Sequence, residues 1–237
     1  MSATERHQLK HDKFAETAQE TFSWMTRHRV RLIIWISAVV AIAIVILGGW
    51  YYQQQHEELA GTDLGAALRT FNAPIRPAGV NPEPNFESYA SDTERAQAAE
   101  KKFRAIADRY PHTHAGKVAR YFTGVSEMQA GGNAAAEKDL RQIVDNGDAE
   151  LASLAKMALA SIDRATHHDD QAMAIYKGLI DHPTHSVSKP MAQLELAGLY
   201  QQTQPQEALK IYQQMRQDDP TGVAGEVAAS RMAALSH

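Results

Sequence analysis

Four short stretches carry residue types at spacings that suit chemistry. His56-Glu57-Glu58-Leu59-Ala60 opens like a helix on which two histidines, one turn apart, hold zinc while a glutamate acts as base. Ala60 stands where the second histidine belongs, so that face offers one ligand. Ser153-Leu154-Ala155-Lys156 and Ser186-Val187-Ser188-Lys189 each set a serine three residues before a lysine, the spacing of an acyl-transfer dyad. Neither the serine-aspartate-asparagine nor the lysine-threonine-glycine element that completes such a site occurs in the chain. Gly116-Lys117 lacks the earlier glycine of a phosphate-cradling loop, and no strand leads into it. The histidines gather as His112 with His114, His167 with His168, and His182 with His185, all in segments that read as turns, where solvated polar side chains belong. With no cysteine in the chain, structural disulfides, thiolate metal sites and lipid-modified cysteine anchors are excluded. The expectation is a protein that is not an enzyme, with no catalytic residue, metal site or cofactor.

The elements that would position any site follow from an internal repeat. Ala99 and Phe103, Ala136 and Leu140, Ala172 and Tyr176, and Ala208 and Tyr212 each set a small residue four before a large one, at intervals of 37, 36 and 36 residues. Upstream lie Leu64-Gly65 with Leu68, then Gly124, Leu159-Ala160, and Leu196-Ala197 with Tyr200. The two patterns together describe antiparallel helix pairs: a small residue at the crossing lets the axes approach, and the large one a turn later fills the adjoining gap. Pro111, Pro183 and Pro220 close units, with Asp148 at the corresponding place in the second unit. Residues 72–91 hold Pro74, Pro77, Pro82 and Pro84 and read as an extended insertion in the first unit.

Residues 32–52 are of another kind. From Leu32 to Gln55 there are 24 residues without a charge, and Leu32 to Tyr52 includes six Ile, three Val and two Leu. At about 1.5 Å per residue this reaches roughly 31 Å, the thickness of a hydrocarbon core. A buried core helix would keep a polar stripe, and this segment has none. Trp35 and the run Trp50-Tyr51-Tyr52 suit the two interfaces of a bilayer. Arg27, Arg29 and Arg31 precede the segment whereas Arg69 alone follows within about 20 residues, so the N-terminal side is expected in the cytoplasm. The expected organisation is therefore a cytoplasmic tail over 1–31, a transmembrane helix over 32–52 and an extracytoplasmic domain over 53–237. Leu9, Phe14, Ala18, Phe22 and Met25 in the tail fit either a short amphipathic helix on the membrane or an unstructured segment. From Gln53 onward the chain has 18 basic and 24 acidic residues, a balance of -6 that makes nucleic acid an unsuitable partner.

The paired pattern over roughly residues 60–220 resembles the tetratricopeptide repeat, with units of 36 to 37 residues rather than 34 and with Glu127 and Asp163 where an aromatic is usual. The resemblance implies an all-α architecture: one transmembrane helix, then a tetratricopeptide-like α-solenoid of about four helix pairs. Gly222 to Leu235, with Val223, Val227, Ala228 and Met232, would cap its last apolar face. The layout of tail, single span and repeat domain is similar to a bacterial inner-membrane family typified by the ancillary subunit of the SecYEG translocon. That likeness implies a protein–protein interaction domain in the inner membrane, facing the periplasm, whose partners are polypeptide clients or a membrane complex such as the translocon. Its role would be accessory or chaperone-like; a structural adaptor in an envelope or cell-division complex is the alternative. The family's groove positions carry over to Val118, Tyr121, Val125 and Met128, then Leu154, Met157 and Arg164, then Met191, Leu194 and Gln201. Each of these suits a peptide-contacting groove and inter-repeat core equally.

Overall fold

A computed structural model describes residues 29–235, and all helices and turns below refer to that range. The helices are α1 (Arg29–Phe71), α2 (Asp92–Arg109), α3 (His114–Gln129), α4 (Asn133–Asn146), α5 (Ala149–Ala165), α6 (Asp169–Asp181), α7 (Lys189–Thr203), α8 (Pro205–Asp218) and α9 (Val223–Leu235). No strand longer than an isolated bridge occurs among the described residues. Leu9, Phe14, Ala18, Phe22 and Met25, on which the two readings of the tail rest, lie outside the described residues.

The chain divides into two units between Gln55 and His56. In the first, the described side chains of the apolar stretch are all open, Trp35 at 72 % and Trp50 at 64 % among them. A core helix would be covered by its own protein, and this one is not; by length and composition it suffices to cross a membrane. Ser37 donates to the Ile33 carbonyl at 2.7 Å, so its hydroxyl is satisfied within the helix, as a hydrocarbon setting would require. This stretch and the first repeat helix around Leu64 belong to one continuous helix, α1.

In the second unit the helices form antiparallel pairs, each of a first (A) and a second (B) helix: the C-terminal part of α1 with α2, then α3 with α4, α5 with α6 and α7 with α8, and α9 closes the series. Each helix from α2 onward packs on the next, and α3 also touches α5, as α7 touches α9. The small–large pairs read from sequence form the spine of this packing: Ala99, Phe103, Ala136, Leu140, Ala172, Tyr176, Ala208 and Tyr212 are all buried. On the partner helices Ala160 and Ala197 are buried, and a Cβ on Gly124 would lie 2.8 Å from Leu140 Cγ. The first pair departs from the expected register. Gly65 faces open space, whereas Ala60 and Ala67 are buried at that crossing beside Ala99 and Phe103.

Boundaries follow capping chemistry. Ser91, Thr113 and Asp148 accept the Glu94, Gly116 and Leu151 amides at the starts of α2, α3 and α5, which satisfies donors the helix leaves unpaired. At two B-to-A turns the backbone comes very close: a Cβ on Gly116 or Gly225 would lie 1.8 Å from the carbonyl oxygen six residues earlier, Tyr110 or Asp219. In the capping helix Ala228 is buried and Met232 and Leu235 pack on the last core cluster. Val223, expected on that face, is instead 77 % exposed, because it sits at the helix start, outside the packed turn.

The proline-rich segment is non-helical and held at both ends. Ile75 and Tyr89 form a parallel bridge, with the Arg76 amide donating to the Tyr89 carbonyl at 2.8 Å and the Tyr89 amide to the Pro74 carbonyl at 3.1 Å. Glu87 Oε1 accepts from Thr70 at 2.7 Å, Tyr89 at 2.8 Å and Lys102 at 3.0 Å, joining α1, the insertion and α2.

Candidate partner-binding surface

The ten residues carried over as groove positions fall on three A helices, α3, α5 and α7. Val118, Tyr121, Val125 and Met128 on α3 are half-buried. Three of them, Val118, Tyr121 and Met128, pack against the middle core cluster, the one built on Leu140 and Leu159. On α5, Leu154 lies against both the middle and the C-terminal clusters and Met157 against the C-terminal one. Leu194 on α7 joins the same C-terminal cluster, whereas Met191, at 46 % exposure, is the most open. Val118, Tyr121, Met128, Leu154, Met157 and Leu194 thus have one flank in the core and another in solvent.

The two polar members are tied down. Arg164 pairs with Glu195 across α5 and α7 at 2.7 Å, and Gln201 Nε2 donates to the Tyr212 hydroxyl at 3.0 Å. Burial raises the Tyr176 and Tyr212 hydroxyls above the ordinary tyrosine pKa. An open apolar stripe with fixed polar ends suits recognition by shape and apolar contact; it holds no activated nucleophile.

The chemical motifs resolve into packing roles. Glu57 accepts from the His114 and Ala115 amides at 2.8 and 2.9 Å and so caps the start of α3. The Ser153 hydroxyl turns to the Glu150 carbonyl and the Thr184 hydroxyl, both at 2.8 Å, while Lys156 is exposed. Lys189 pairs with Asp218 at 3.3 Å. Among the described residues no group of three or more His, Cys, Asp or Glu is placed to hold a metal ion.

Two features escaped the sequence. Glu127, where the repeat pattern has an aromatic, is buried with its Oε1 on Arg104; Arg104 also binds Glu100 at 2.7 Å and Asp139 at 3.4 Å. Burial, then the Asp139 charge, raises the Glu127 carboxyl above the usual range despite that guanidinium. The other is a set of three crevices beside Gln142, Gly178 and Gln214, floored by α3, α5 and α7, of which the largest lies between α4 and α6. A period of 36 residues locates the positions that line it, but the width of a gap depends on side chains from three helices at once.

Stacked antiparallel pairs with a closing helix define a helical-repeat scaffold. A family model of the tetratricopeptide repeat-like domain matches residues 23–181, two thirds of the chain, and the chain belongs to that family. No curated protein and no solved structure matches it. The fold is one typically used as a non-catalytic scaffold for protein–protein interaction.

Proposed function

We propose that this chain is a single-span bacterial inner-membrane protein whose periplasmic repeat domain holds or escorts polypeptides beside the export translocon. The observation that carries this reading is the row of half-open apolar side chains on consecutive A helices: Tyr121 and Met128 on α3, Met157 on α5, Met191 and Leu194 on α7. Methionine is soft and unbranched, so a stripe containing three of them adapts to many apolar segments. A membrane tether would raise the local concentration of such a surface where chains emerge. Arginine asymmetry around residues 32–52 supports the orientation.

Photo-crosslinking from position 157 or 191 in intact membranes tests the reading. Attachment to many secreted chains and to the channel is the expected result. Attachment to a single envelope protein would replace it with the structural-adaptor reading. A companion measurement uses Met157→Ser with Leu194→Ser: capture of an unfolded secreted client should weaken while helicity stays near that of the parent. Undiminished capture by the folded double variant would remove these residues from the contact surface.

A further inference from the structure

Crevices at equivalent places in three repeats, beside Gln142, Gly178 and Gln214, differ in size. The one beside Gln142, floored by α3, measures about 200 Å³, and the one beside Gln214, floored by α7, about 440 Å³. Between them, the crevice of α4 and α6 over α5 measures about 700 Å³. Its width traces to α6. Counting 36 residues from Gln142 and back from Gln214 arrives at Gly178, and Ala174 likewise stands where Lys138 and Lys210 stand in the flanking repeats.

Gly178 lies within α6, and a Cβ there would meet no atom within 4 Å. Glycine at an interior helical position weakens the helix relative to alanine, and here no close approach of protein atoms requires it. The space it leaves has an apolar floor and wall that include Val144, Leu159 and Ile175. Its ionisable lining consists of Arg141, Lys156 and His182, with no carboxylate, in a domain whose residues from 53 onward sum to -6. Arg141 also meets Glu137 within α4, and Lys156 has no ion-pair partner among the described residues. In the smaller crevice over α3 the lining again includes two cations, Lys117 and Arg120, and no carboxylate. This face of α5 differs from the one that bears Leu154 and Met157.

We propose that the α4–α6 crevice is a second docking site, for a partner polypeptide segment that carries carboxylates beside apolar side chains. Apolar groups would enter over Gly178, and the carboxylates would meet Lys156 and Arg141. Basic walls in an acidic domain supply the complementarity, and a recessed apolar floor suits inserted side chains better than the flat surface of a bilayer.

The test uses the full chain in nanodiscs of zwitterionic lipid and a fluorescent twelve-residue peptide with four glutamates and four leucines. Anisotropy should report binding that weakens with salt, and a peptide with lysine in place of glutamate should not bind. Gly178→Gln copies the flanking repeats, so it should preserve or raise the melting temperature while weakening the acidic peptide about tenfold or more. Lys156→Glu should act likewise, and should admit the lysine peptide. Unchanged affinity in a folded Gly178→Gln variant overturns the proposal. So does absence of peptide binding, and where vesicles containing phosphatidylglycerol bind instead and lose that binding with Lys156→Glu, the face is lipid-directed.

Discussion

At the scale of single residues, the core is organised by what is small. Ala172 is buried where α6 crosses α5, so Ala172→Trp should force the pair apart and cost about 1–3 kcal/mol or more, read from chemical denaturation of the repeat domain. A fully stable variant would mean the crossing lies elsewhere. Glu127 makes a prediction of opposite character. Its folded pKa is raised above the ordinary 4.5, so the folded state holds this proton more tightly than the unfolded chain does. The resulting stability is fully present below the unfolded pKa and is lost as pH rises through the folded one. Glu127→Gln should therefore flatten the decline in stability over that window, measured as the parent-minus-variant difference against pH. Alanine spacing was readable because a repeat displays it four times. The setting of Glu127 was not, since Arg104 and Asp139 approach it from other helices, 23 and 12 residues away in the chain.

Elements show how far punctuation residues carry. Four prolines were enough to identify residues 72–91 as non-helical, and the tertiary hydrogen bonds that fix the segment have no local signature. Burial alone would raise the Glu87 carboxyl, but hydrogen bonds from Thr70, Tyr89 and Lys102 outweigh it and leave the pKa lowered. Burial, and then the contact with Glu87, pushes the Tyr89 hydroxyl up to about 12. A lowered carboxylate stabilises the fold above its unfolded pKa, and that contribution is lost as pH falls through the folded one. Glu87→Ala should release the insertion: limited proteolysis between Pro77 and Glu87 should accelerate while circular dichroism stays that of the parent. Equal cleavage rates would show that the backbone bridge alone secures the segment. The capping helix behaves as its position requires. Ending the chain after Asp219 uncovers Tyr212 and Met215, and the shortened domain should melt earlier and associate in sedimentation experiments.

For the molecule as a whole, composition and periodicity together gave most of the architecture: a membrane-length apolar stretch, helix pairs at a constant spacing and a closing helix. The surfaces were harder to read, because half-burial looks the same in sequence as full burial. A reporter active only outside the cytoplasm, fused after residue 237, is expected to be active; activity only of a cytoplasmic reporter would reverse the proposed orientation. Each repeat helix touches chiefly its chain neighbours, so the domain is held together in series rather than around one centre. A processive protease that engages the C-terminal end would then meet a staircase of separate obstacles. Each step down should release one helix pair, and stalled digestion products should differ in length by 36 or 37 residues.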